Sequence, residues 1–314
     1  MDVRRICRYS ALVGGTVWVV WLARSGFAPE AESIIAAALR LAFLVTVPLG
    51  LAVSPAAAEP TGMPARVAAI LQLPAGLLAA FSLDLARGPT AAALVIPWLV
   101  VTAGVAITGL DAVLRHGRHE LGELCGYAGL AYLGIGGGAL VMSRLGLTPF
   151  GFGHTIVALT AVHFHYAGFA TPLLTARVAR LVPPSRTLGG IVAGVVGGPA
   201  LVGAGITFAP ALELVAALML TASVVGLGAV VLCRVVSTRA VAVDSRLLLA
   251  ISAAASLFPM LCAATYAFGE FFERNLLTIP EMLRLHGIAN ALGFTLCGLL
   301  GWTLHDLRQA GANR

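Results

Sequence analysis

The chain of 314 residues contains no lysine, only 11% charged residues, and five cysteines with no metal or disulfide spacing. Cys7, Cys125 and Cys233 fall at expected helix ends and Cys262 and Cys297 within apolar runs, so they read as small packing residues. There is no CxxC pair, no HExxH, no glycine loop after a strand to cradle a phosphate, and no polar stretch long enough for a soluble domain. All twenty basic residues are arginine, scattered singly or in twos and threes between apolar runs. That scatter gives the net charge of +6 a topological meaning and excludes the clustered basic face a nucleic-acid partner requires. What is present in excess is apolar surface. The composition is 59% hydrophobic and the mean hydropathy is +0.94, values of an integral membrane protein whose chemistry must lie within the bilayer.

Runs of roughly 17 to 25 apolar residues mark spans. Ten are expected, at 9–24, 33–53, 66–86, 90–110, 121–143, 152–178, 188–208, 211–233, 246–269 and 281–303. The fold class is therefore all-α, a polytopic transmembrane helix bundle forming one domain over 1–314. The first run, with Arg4, Arg5 and Arg8 before a short apolar core, has the outline of a signal peptide. It lacks a clean small-x-small cleavage site and is read as a retained helix. Cytoplasmic segments carry the arginine excess. With the N-terminus inside, the inner segments hold Arg4, Arg5, Arg8, Arg66, Arg115, Arg118, Arg177, Arg180, Arg186, Arg234, Arg239, Arg246, Arg308 and Arg314. The outer side holds Arg24, Arg87, Arg144, Arg274 and Arg284, and Arg40 lies within a span. This split places both termini on the cytoplasmic side of a multi-pass membrane protein.

Gly190, Gly194 and Gly198, and Gly134 with Gly138, recur at the four-residue spacing that lets helices approach closely. Pro48, Pro74, Pro97, Pro199 and Pro259 lie within spans and can kink them or free carbonyls. The halves 1–150 and 151–314 show no convincing repeat, which an inverted-repeat transporter would favour.

Intramembrane polar residues are costly and are functional-site candidates by default. The densest group is His163-Phe164-His165-Tyr166, near the middle of the sixth span. His154 opens that span; Arg40 lies about 10 Å into the second, Glu213 in the first turn of the eighth, Tyr266 near the end of the ninth, and His286 and Asn290 one to two turns into the tenth. Asp84 with Arg87 reads as a headgroup-level ion pair, and Glu213 is the first partner to test for Arg40. These residues converge on the outer half of the membrane. On a regular helix His286 and Asn290 share a face, as do His163 and Tyr166, whereas His165 lies about 200° from His163 and close to the line of His154. HxH spacing therefore disfavours a two-histidine metal site, and His163 with Tyr166 is expected to face the cavity.

Two segments, His163-Phe-His165-Tyr166-Ala-Gly168-Phe169 with Thr171-Pro172, and Leu285-His286-Gly287-Ile-Ala-Asn290-Ala-Leu-Gly293-Phe294, resemble the YndJ-like family of bacterial membrane proteins. The resemblance implies a polytopic membrane protein and a shared site of His163, His165, Tyr166, His286 and Asn290, without supplying a reaction. Members can carry an additional soluble C-terminal region, in which case this chain corresponds to the membrane part.

Two functional classes fit these residues. The first is a membrane-embedded enzyme performing cofactor-free acid-base chemistry: cyclisation, isomerisation or epoxide opening of an isoprenoid, polyketide or lipid. His163, His165, Tyr166, His286 and Glu213 would be catalytic and Asn290, Arg40, His154, Phe169, Phe294 and Tyr266 would bind substrate, with apolar walls excluding water. No metal is expected; the partners are the bilayer and a lipophilic small molecule, with no nucleic acid, and the oligomeric state is open. The second is a transporter or permease with a midplane His/Glu site. Haem or quinone binding through a histidine pair on different helices is a third, smaller possibility.

Overall fold

A computed structural model describes residues 2–26, 30–54, 63–115, 120–238 and 241–312, and among these the chain is helical without strands. Arg118, Arg239 and Arg314 of the arginine count lie outside the described residues. Ten helices are long and apolar enough to cross a membrane: α1 Val3–Arg24, α2 Ala31–Val53, α3 Ala65–Ser82, α4 Pro89–Arg115, α5 Leu121–Leu145, α6 His154–Ala179, α7 Arg186–Phe208, α8 Pro210–Val235, α9 Val243–Phe271 and α10 Ile279–Gly311. The ten expected runs each correspond to one of them. The largest difference in extent is α10, which continues past the last apolar residue of the run and carries His305 and Asp306 inside the helix.

The chain divides into two compact units, Met1–Leu173 and Leu174–Arg314, the division falling within α6. In the first unit α2 is the most enclosed helix, with every residue from Leu39 to Ser54 buried. A helix without lipid contact must meet its neighbours on all sides, and backbone approach does this: a Cβ on Gly14 of α1 would overlap the Leu44 carbonyl of α2. In the second unit α7 packs on α8 and α9 on α10. There Gly293 lies against Ala255, Gly298 against Ser252, and Gly301 against Leu249. These three pairs set a steady antiparallel register between α9 and α10.

The helices are not regular throughout. Stretches with i→i+5 hydrogen bonding occur at Ala42–Thr46 in α2, Phe164–Ala170 in α6, Val231–Val235 in α8, and Leu283–Gly287 and Ala289–Leu296 in α10. Such insertions are short, locally widen the helix, and recur at functional sites. α9 is interrupted at Ser256, three residues before Pro259, whose ring cannot donate to the preceding turn.

Candidate functional site

In the first unit, the polar motif of α6 is built on the widened stretch Phe164–Ala170. Widening turns each residue through a smaller angle than a regular helix does, and this carries Tyr166 off the face of His163 and toward that of His165. His165 is fully buried, whereas His163 is exposed on the outside of the helix with its Nδ1–H donated to the Leu159 carbonyl at 2.8 Å. The expectation that His163 and Tyr166 share the inward face is corrected accordingly: the inward histidine is His165.

His165 is held at both ring nitrogens. Trp98 Nε1–H donates to His165 Nε2 at 3.1 Å, so the ring proton sits on Nδ1 and is donated to the Ala161 carbonyl at 2.7 Å. The Trp98 and His165 rings are stacked, and Phe43 meets the histidine edge-on at 5.4 Å between centroids. Gly136 of α5 leaves room for the imidazole; a Cβ there would stand 2.8 Å from Nδ1. Tyr166 donates its hydroxyl to the Ala38 carbonyl at 2.9 Å, and Phe169 fills the space opposite Gly50. The motif thus joins α6 to α2, α4 and α5 by side chains whose hydrogen bonds are made within the protein.

Arg40 is 3% exposed and pairs with Asp84 at 2.5 Å, not with Glu213. Its Nε donates to the Ala80 carbonyl at 3.2 Å and its guanidinium lies 3.8 Å from the centroid of the Trp21 ring. Arg87 in turn pairs with Glu32 at 2.5 Å, which replaces the expected Asp84–Arg87 pair. The swap follows from depth: the buried guanidinium takes the carboxylate that closes α3. His154 is exposed at the first position of α6.

In the second unit, His286 and Asn290 occupy the two successive widened stretches of α10. His286 Nδ1–H donates to the Pro259 carbonyl of α9 at 2.7 Å, which makes Nε2 the lone-pair nitrogen of the neutral ring. The Asn290 side-chain nitrogen lies 3.3 Å from that Nε2. The shared face expected from the spacing is therefore realised. Both residues are half-buried, with Leu285 and Leu292 exposed beside them and Phe294 buried below. Ser252 donates to the Phe294 carbonyl at 2.6 Å and fixes α10 against α9 one turn deeper.

Glu213 is half-buried, its backbone packed against Gly205, and it lies within electrostatic range of Glu270 and Tyr266. A cavity farther along α9 and α10, lined by Leu249, Ser252, Phe294, Gly298 and Trp302, holds about 20 Å³, room for one water and not for a lipid-sized guest. Among the described residues no three His, Cys, Asp or Glu side chains are grouped to hold a metal ion.

Sequence reasoning missed Trp98, and it marked Pro259 only as a residue that can kink its span or free a carbonyl, not as the partner of His286. Both act on a histidine through a polar atom that an apolar residue also carries, an indole N–H and a main-chain carbonyl. It also missed the partly buried ion pair Arg177–Asp306, 2.5 Å apart, with Arg177 lying 5.0 Å from the Trp302 ring centroid.

The family model described as YndJ-like protein matches residues 37–294, which include both motifs. The uncharacterized membrane protein YndJ of Bacillus subtilis (strain 168) is 28% identical over 217 residues, 69% of this chain and 39% of that protein. The matched region thus spans about two fifths of the relative's length. No solved structure matches the chain.

Proposed function

The chain belongs to the YndJ-like family of multi-pass bacterial membrane proteins, and we propose that it is a membrane-embedded enzyme moving a proton on a lipophilic substrate, with His286 as acid-base group and Asn290 orienting the reacting oxygen. The observation that carries this reading is the His286–Pro259 bond. A carbonyl fixing Nδ1–H sets the tautomer and aims Nε2, and the same carbonyl stabilises the imidazolium that forms when Nε2 accepts a proton.

The chemistry that fits is mass-neutral. Nε2 takes a proton from an activated carbon or hydroxyl, and the imidazolium returns it elsewhere on the same molecule, giving isomerisation, cyclisation or epoxide opening within one chain. Half-burial beside exposed leucines suits a substrate arriving from lipid, and an isoprenoid, polyketide or acyl chain has the required solubility. Glu213 and Tyr266 are the next proton-carrying groups of this unit. In the first unit the bonds of His165 and Tyr166 favour a structural role for the His-Phe-His-Tyr motif, and a haem ligated by His165 Nε2 would have to displace the Trp98 indole N–H.

A transport reading draws on the interruptions of α9 and α10, since broken helices also line transporter sites. The two readings separate in one experiment. Protein in nanodiscs is incubated with a bacterial lipid extract, and the lipids are resolved by chromatography and mass spectrometry. A species of unchanged mass and altered retention, formed by the native chain and reduced about 100-fold or more in His286→Ala, supports the enzyme. Uptake into proteoliposomes without chemical change, lost in the same variant, assigns transport instead.

A further inference from the structure

At the end of the first unit where α3 closes and α4 opens, Arg144 is 7% exposed and, among the described residues, bonds only main-chain carbonyls. Its Nη2 donates to Ser82 O at 2.9 Å and Leu85 O at 2.6 Å, while Nε, also buried, has no acceptor. The Gly88 N–H donates to the Arg144 carbonyl at 2.8 Å, which draws the start of α4 to the end of α5. Arg87 stands beside it, with its Cβ 3.7 Å from where a Cβ on Gly146 would lie. Arg87, Arg40 and Glu32 are all within electrostatic range of Arg144.

The charges at this end do not balance. Asp84 answers Arg40 and Glu32 answers Arg87, which leaves three guanidinium groups against two carboxylates. The carboxylates are the solvent-facing members, 49% and 78% exposed, whereas Arg40 and Arg144 are buried. Helix dipoles do not supply the missing negative charge: the C-terminal ends of α3 and α5 stand beside the N-terminal ends of α2 and α4, and such ends offset each other. Arg24 and Glu30, both exposed after α1, add no net charge. A buried cation without an anion is costly.

We propose that Arg144 and Arg87, backed by Arg40, form a binding site for one phosphate group. The guanidinium fork matches phosphate oxygens in two-point contact, and a phosphodiester carries the single negative charge that closes the balance. The group is supplied by a phospholipid headgroup or as free phosphate; both present the same oxygens to the same arginines. Glu32 competes with the phosphate for Arg87.

Native mass spectrometry of the detergent-solubilised protein with phosphatidylglycerol or phosphatidylcholine, alongside melting curves with and without millimolar inorganic phosphate, tests the site. Arg144→Gln removes two bonds at the end of α3 and can fail to fold, so Arg87→Gln and Glu32→Gln bear the test. Arg87→Gln should weaken phosphate-group binding about tenfold and Glu32→Gln should strengthen it, opposite signs that a packing role does not produce. Phosphatidylglycerol adducts in this order assign the lipid source. A melting shift by inorganic phosphate in this order, without adducts, assigns free phosphate. Equal adducts in the native chain and both variants, with melting unmoved by phosphate in all three, overturn the site.

Discussion

Trp98 donates its indole N–H to His165 Nε2, and the imidazole donates its own Nδ1–H to the Ala161 carbonyl one turn back on the same helix. Both nitrogens of a fully buried imidazole are thereby used, in a neutral ring. Intramembrane histidines are usually read as sites, but the cost of a neutral imidazole in an apolar interior falls when its donor and its acceptor are both met. His165 is a strut between α6 and α4.

Trp98→Phe keeps the aromatic packing against Phe43 and leaves Nε2 buried without a donor. It should lower stability by about 1–2 kcal/mol, an unpaired buried acceptor tempered by the modest worth of hydrogen bonds in membranes. Thermal unfolding in detergent measures this. ¹⁵N spectra of histidine-labelled protein should show His165 protonated at Nδ1, and an unshifted melting curve in Trp98→Phe would contradict the strut.

The span count and the shared face of His286 and Asn290 were legible because each depends on spacing alone, apolar runs in one case and a separation of four in the other. The facing of the α6 motif was not legible. A rotation of 100° per residue holds only for i→i+4 bonding, and nothing in Phe164-His165-Tyr166 announces the five-residue register that takes Tyr166 off the His163 face, while spacing alone leaves open which of the two opposed histidines points inward. Arg40's partner was missed for a different reason. Depth along a helix says which residues share a level, and on that basis Asp84 is paired with Arg87 and Glu213 with Arg40, but lateral neighbours follow from packing. The Pro259 carbonyl carries no sequence signal beyond the proline itself.

The two histidines of the motif should therefore respond unequally to an apolar replacement. His163→Leu, on an exposed face, should change stability by no more than about 0.5 kcal/mol in either direction. His165→Leu forfeits the Trp98 bond, strands its N–H, and alters the shape opposite Gly136. Its melting temperature should fall clearly below that of His163→Leu. Equal shifts would show that the burial difference between them has no energetic weight.

Asp84 is half exposed and Arg40 is not, so the pair is asymmetric. Asp84→Asn keeps an acceptor oxygen but removes the anion facing the buried guanidinium, whereas Arg40→Met removes the charge from the interior. The double variant should be more stable than Asp84→Asn alone, with a coupling of about 1–2 kcal/mol from a double-mutant cycle of melting data. A cycle that sums to zero would mean that solvent already screens the pair.

The four-residue glycine stripe of α7 offers a comparison within one helix. A Cβ on Gly194 would overlap Ser223 Oγ of α8, and one on Gly198 would lie 2.9 Å from the Leu220 side chain, while one on Gly190 would meet nothing within 4 Å. Spacing alone treats the three alike; only two of them face α8. Gly194→Ala should cost about 1–3 kcal/mol, because either α8 retreats or Ser223 abandons its bond to the Met219 carbonyl. Gly190→Ala should be neutral or stabilising by up to about 1 kcal/mol through helix propensity. Melting of the two single variants under identical detergent conditions decides the matter, and a loss at Gly190 equal to that at Gly194 would move the α7–α8 contact to a different face of the helix.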